Sequence, residues 1–238
     1  MYAKENYDDL FKRVSNVTGD EFEDYRSANI DQWKGVDDRI FELGCEWIKS
    51  KEKHSLYIFG PPGSGKTHFA HCLIRGSFDI YNCVPKSVSS ICLDSWFLSL
   101  ATNQESPHKS QIEKIEEADL LCVDDYGTQK FSPRSNRQMF GLIDKRINND
   151  KITLFTSNFS VDQIHKMIKL SDKSVSMNED EEAIFRMQNG MMADRICQRL
   201  SIMLPIEFEN FNMRKKSSIN KLMNSESAKS IMKKSKPY

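Results

Sequence analysis

The stretch Gly60-Pro-Pro-Gly-Ser-Gly65-Lys66-Thr67 has the residue types and spacing best suited to chemistry in this chain. It fits the pattern G-x-x-x-x-G-K-[ST]. Glycines at these positions let the backbone curl until successive N–H groups point inward, which makes an anion nest at the start of a helix. A lysine beside the nest would reach the β- and γ-phosphates of a nucleotide. The hydroxyl after it would ligate Mg²⁺. Gly60, Pro61, Pro62, Gly63, Ser64, Gly65, Lys66, Thr67 and the adjoining His68 are therefore the candidate nucleotide-binding residues.

Three further groups could complete such a site. The apolar run Ala118-Asp-Leu-Leu-Cys-Val ends in Asp124-Asp125. In a parallel sheet the carboxyl end of a strand faces the ligand crevice. Asp124 would then hold Mg²⁺ together with Thr67, and Asp125 would orient the attacking water and act as its base. Taken alone, the pair fits a solvated acidic turn before Tyr126-Gly127 equally well. Its place downstream of the phosphate loop favours the chemical reading. A second run, Lys151 to Phe155, closes on Thr156-Ser157-Asn158. The Asn158 amide can donate to a phosphate and accept from a water; an asparagine closing a turn is the competing account. Finally, Arg195 and Arg199 lie one helical turn apart. They are either a solvated face or planar cations that stabilise charge on another subunit's γ-phosphate.

The elements that must position these residues can be read from apolar spacing. Leu56-Tyr-Ile-Phe59 predicts a short strand into the loop, and the residues through Arg75 a helix out of it. Ile40, Phe41, Leu43, Trp47 and Ile48 predict a helix from Asp37, the cap, to Lys49. Val88 to Leu93 predicts a second strand, followed by a helix capped by Asp94 or Ser95. Thr102 to Ser110 reads as a loop and Gln111 to Glu117 as a short helix. Pro133 starts a helix running to about Asn148. Glu181 to Leu200 reads as a helix, and Ile202 to Phe208 as a last strand. Phe22 to Trp33 reads as an extended lead-in, and residues 1–19 as one short packing helix. Lys169 to about Asp180 is polar, without apolar period, and reads as an exposed insertion. The expected class is thus α/β, a three-layer phosphate-loop domain with a central, mostly parallel sheet.

Composition excludes several alternatives. The 238 residues suffice for one substantial domain with extensions. Formal net charge is zero, so no global field points to nucleic acid or membrane. Residues 1–50 lean acidic, whereas beyond Phe211 the chain is basic, with Glu226 its only acid. No apolar run approaches a membrane span, and the N-terminus has no signal-peptide core. The six cysteines are scattered without a C-x-x-C pair. They argue for reduced thiols in a cytoplasmic protein and against structural zinc.

With these pieces in order, the chain resembles AAA+ ATPases. Within them it resembles the bacterial and phage replicative helicase loaders of the DnaC/DnaI type and their relatives, the IstB transposition helpers. The resemblance runs from about Phe22 to Arg214. Gly60 to Thr67 matches Walker A, and Leu120 to Gly127 resembles that group's Walker B. Phe155-Thr-Ser-Asn158 resembles its sensor 1. Asp194-Arg195-Ile-Cys-Gln-Arg199-Leu resembles its arginine-finger box, with Arg199 the finger and Arg195 its partner. Phe211-Asn-Met-Arg214 resembles the group's ending, a short Arg-bearing segment without a full lid domain. Glu21-Phe-Glu-Asp-Tyr25 resembles the segment before its ATPase core.

The resemblance implies Mg²⁺-dependent ATP hydrolysis, a homo-oligomer with the finger in trans, and a replicative helicase as partner. Nucleotide contact would then include Arg214. The implied organisation is an arm and lead-in over 1–36, an ATPase domain over 37–214 and a basic tail over 215–238. The tail, with Lys109 and Lys114, could also meet single-stranded DNA. Too few N-terminal residues are present for the helicase-binding domain of DnaC or the zinc domain of DnaI. A transposition helper would look much the same in its core. A small-molecule kinase would need a lid bearing several arginines, and a non-hydrolysing adaptor is a further alternative.

Overall fold

Strict alternation along the strands sets the architecture. The computed structural model describes residues 28–81, 85–102, 107–171 and 178–209. Its strands are β1 (Leu56–Phe59), β2 (Pro85–Ser89), β3 (Leu120–Tyr126), β4 (Ile152–Ser157) and β5 (Leu204–Glu207). They form one sheet in the order β2-β3-β4-β1-β5, every pair parallel. Successive side chains point to opposite faces of a strand. Leu56, Ile58, Leu120, Cys122, Leu154 and Ile206 therefore line one face, and Tyr57, Val88, Leu121, Val123 and Phe155 the other. Both faces are apolar because helices cover both, as a parallel sheet requires.

The first face packs on α1 (Asp38–Lys49) and α2 (Lys66–Tyr81), through Ile40, Trp47, Phe69 and Leu73. The second packs on α3 (Ser90–Thr102), α4 (Lys109–Glu117), α5 (Pro133–Asn148), α6 (Val161–Lys169) and α7 (Glu179–Ser201). The result is the expected three-layer α/β domain. Local chemistry starts the helices where the sequence indicates. Asp37 accepts from the Ile40 N–H, and Ser132 from the Ser135 N–H, with Pro133 in the first turn. Asn178 and Glu181 form a reciprocal capping box at the start of α7.

One buried cation ties three elements together. Arg146, on α5, is fully buried. Its guanidinium donates to the carbonyls of Ile115, Glu116 and Ala118 at the end of α4, and to Ile152 O and Thr153 Oγ1 on β4. Burial pulls its pKa down to about 10, so it stays charged at neutral pH. The carbonyl end of α4 suits a cation, both as acceptors and as the negative pole of the helix.

Several boundaries differ from expectation. The second strand lies earlier, at Pro85–Ser89, and the run Ile91-Cys92-Leu93 opens α3 instead of closing the strand. Leu93, Trp96, Phe97 and Leu100 are the inward positions, spaced as on a helix, while Ile91 is exposed. Ser89 Oγ takes the Cys92 N–H, so the cap is Ser89 and not Asp94 or Ser95. The helix after the phosphate loop runs on to Tyr81. Ile30–Trp33 is a 3-10 helix with a capping box from Asn29 and Gln32, where an extended lead-in was expected. Helix α6 was absent from the sequence reading. Its signal is Ser160-Val-Asp-Gln163, a reciprocal capping box, followed by the buried Ile164 and Ile168. Of the polar insertion, Lys169 ends α6 and Asp180 lies in the first turn of α7; residues 172–177 are outside the described set. So are the arm over 1–19, the segment Glu21 to Tyr25, and everything from residue 210 on, including Arg214 and the basic tail.

Candidate functional site

The sheet order brings the candidate residues together. Strand β1 lies between β4 and β5, and β3 lies beyond β4. The loop after β1 and the carboxyl ends of β3 and β4 therefore share one edge, where ligands of open parallel sheets bind.

In the loop itself, Gly60, Gly63 and Gly65 have φ of +147°, +77° and +96°. Gly60 has a second constraint. The chain just past β5 lies so close that a Cβ there would be 2.3 Å from Phe208 O. Gly65 O accepts from the Phe69 N–H at 2.8 Å, so α2 starts directly from the curl and its first amides face the loop. Lys66 is buried. Its ammonium donates to Pro61 O at 2.8 Å and to Asn158 Oδ1 at 3.0 Å. The structure thus joins the loop lysine and the amide just past β4 across 92 residues of chain. His68 lies further along α2, with Cys72 Sγ 3.6 Å away and the Trp33 ring tilted against it. Burial lowers its pKa, which favours the neutral ring.

At the end of β3 the pairing with β4 slips. Val123 opposes Phe155 and Tyr126 opposes Ser157, so Asp124 and Asp125 together face Thr156. This is a β-bulge, which kinks a strand and re-aims its side chains. Asp125 takes a left-handed conformation, φ +54°. Its carbonyl accepts from the Ser90 and Thr128 hydroxyls, each at 2.8 Å. Asp124 Oδ1 accepts from Thr67 Oγ1 at 2.9 Å and also from Thr156 Oγ1. Burial pushes the Asp124 carboxyl above the usual carboxylate range. The two hydroxyls oppose the rise, and the charge of Asp125 adds to it.

This donor set fits Mg²⁺. Adjacent ligands on an octahedral ion with bonds of about 2.1 Å lie roughly 3 Å apart, and Thr67 Oγ1 and Asp124 Oδ1 already have that separation. Among the described residues no group of three or more His, Cys, Asp or Glu side chains converges, here or elsewhere. One hydroxyl and one or two carboxylates, completed by phosphates and water, is how proteins usually hold this ion.

The two arginines sit apart from this edge in their contacts. Arg199, on α7, places Nε and Nη2 each 2.8 Å from Asp144 Oδ1 on α5, and its guanidinium lies over the Phe140 ring. Arg195 is exposed. Its neighbour Asp194 pairs with His165 at 2.6 Å on α6. Sequence reasoning did not single out Ser90, Thr128, Thr156 or Asp144. Ser90 was hidden inside a misplaced strand. Thr156 opens the polar end of the Lys151 to Phe155 run, where only Asn158 was singled out.

A family model described as IstB-like ATP binding protein matches residues 13–178. The chain belongs to this IstB-like ATP-binding family. No curated protein matches it. Among solved structures, the IstB-like chain is similar to DnaI, with a TM-score of 0.62 and 21% identity, covering 80% of this chain and 95% of that one. It is similar to the DnaC helicase loader, with a TM-score of 0.55 and 17% identity, covering 77% and 98%. It is also similar to AMPPCP-bound DnaA from Aquifex aeolicus, with a TM-score of 0.56 and 14% identity, covering 83% and 55%. At these identities the structural likeness establishes the fold, that of AAA+ phosphate-loop proteins. ATP binding follows from the family. No helix among the described residues is long and apolar enough to cross a membrane.

Proposed function

We propose that the protein is a Mg²⁺-dependent ATPase that assembles with copies of itself and loads a replicative helicase onto single-stranded DNA. The observation that carries the ATPase reading is the junction at the sheet edge, where Thr67, Asp124, Lys66 and Asn158 meet through side-chain hydrogen bonds. The loop amides of Gly60 to Thr67 would cradle the phosphates. Lys66 would exchange Pro61 O and Asn158 Oδ1 for phosphate oxygens, a stronger charge-assisted contact. Asn158, so released, would orient the attacking water, and Asp125 would take its proton. Thr67 and Asp124 would hold Mg²⁺, which when bound neutralises charge on the β- and γ-oxygens. Arg199 would leave Asp144 for the γ-phosphate of the adjoining copy, with Arg195 as its partner. The Asp144 pair is part-exposed, so it costs little to open.

The helicase reading is supported by the likeness to the DnaC helicase loader and DnaI. The test is affinity capture with the full chain in MgATP from the source cells. Co-elution of a hexameric helicase is expected. A transposase in its place supports the second reading, a transposition helper, which the IstB-like family match favours. Retention of neither contradicts both partner assignments.

A further inference from the structure

The bulge at the end of β3 leaves a specific hydrogen-bonding problem, and one side chain solves it. Two residues, Asp124 and Asp125, stand opposite the single residue Thr156. An extra residue in a strand loses its place in the ladder, so its N–H needs another partner. The Asp125 N–H finds one in Thr156 Oγ1, at 2.9 Å. The same hydroxyl gives its proton to Asp124 Oδ1. A hydroxyl is the smallest group that can accept from one neighbour and donate to another. Thr156 is itself fully buried and fixed by its pairing with Ile58 on β1. It therefore cannot follow the acids if they move; they must conform to it.

We infer that Thr156 is a positioning residue: one hydroxyl sets both the carboxylate that would hold Mg²⁺ and the backbone that aims the water-orienting carboxylate. The inference rests on the ATPase reading above and adds to it a device that links the two acids. Ser90 and Thr128 brace the next peptide, through Asp125 O. Asp125 is thus gripped at its N–H by β4 and at its carbonyl by α3 and the following loop. Without the Thr156 hydroxyl, Asp125 N loses that partner and Asp124 Oδ1 keeps only the Thr67 hydroxyl. Loss of an outer partner of a metal ligand typically lowers metal affinity or activity by roughly 10–100-fold.

The test uses the full-length protein and three variants, Thr156→Val, Thr156→Ser and Thr156→Cys. Binding of a fluorescent ATP analogue is measured in EDTA and across a Mg²⁺ titration, with phosphate release in parallel. In EDTA all variants should bind the analogue as the parent does, because the loop amides are untouched. Thr156→Val should need on the order of tenfold more Mg²⁺ for half-maximal tightening and release phosphate roughly 10–100-fold more slowly. Thr156→Ser keeps the hydroxyl and should restore both. Thr156→Cys, of similar size but a poor hydrogen-bonding group, should resemble Val. This Ser–Cys contrast decides the matter if the Val variant does not fold. If the parent hydrolyses ATP and the Ser and Cys variants share one Mg²⁺ dependence, the positioning role is wrong. If the parent itself ignores MgATP, the underlying ATPase reading fails as well.

Discussion

At φ +54°, Asp125 occupies a backbone region that few residues other than glycine, asparagine and aspartate tolerate. Such strain persists only where the surroundings over-determine it. Here the surroundings are Thr156, Ser90 and Thr128, which hold its N–H and carbonyl. We expect Asp125→Asn to keep the fold, since asparagine also accepts the left-handed region. The variant should lose a proton acceptor while the loop contacts remain. Phosphate release should therefore fall by about 10²–10⁴, with ATP affinity within twofold of the parent, measured on the same preparation. Both acids were legible in the sequence, because carboxylates at the end of an apolar run are a conspicuous pattern. Thr156 was not, because its role depends on a strand slip that no side-chain pattern announces. Asp144 was missed for a related reason. It pairs with Arg199 across 55 residues of chain, and only packing of α5 on α7 brings them together.

Elements were legible where local chemistry and burial agree. Helices α1, α5 and α7 begin at or within two residues of their expected starts, at Asp, Ser-Pro and Asn caps. Strand β2 was misplaced because Val88, Ile91 and Leu93 read as one strand, though Leu93 belongs to the helically spaced set Leu93, Trp96, Phe97 and Leu100. Helix α6 is short, and its polar positions masked a capping box. The fit between elements is also where stability can be tested. Arg146 satisfies acceptors from the α4 end and β4. Arg146→Met would fill similar space and leave those buried groups unpaired. Each such orphan costs about 1–3 kcal/mol; with partial relaxation, we expect a loss of roughly 3–5 kcal/mol, read from urea denaturation midpoints. Arg146→Lys should recover less than half, because an ammonium lacks the planar fork.

At the scale of the whole molecule, fold class and sheet edge were legible because the phosphate loop fixes what must precede and follow it. The strand order was not readable from spacing, yet it is what places Asn158 beside Lys66. The proposed finger from a neighbouring copy would make turnover a property of the assembly. Lys66→Ala should be inactive for want of a phosphate grip, and Arg199→Ala for want of the finger, by roughly 10³–10⁵ in rate. Mixing the two should restore turnover, since one supplies a competent pocket and the other a competent arginine. Phosphate release from the mixture no higher than from either variant alone would place Arg199 outside the reaction.

Every step above requires a nucleoside triphosphate held by the curl between β1 and α2. Titration calorimetry of the full-length protein with MgATP tests it most directly. One site per chain is expected in the parent, weakened at least about tenfold, roughly 1.4 kcal/mol, in Lys66→Ala. No heat of binding in the parent, or equal affinity in the two proteins, would contradict it.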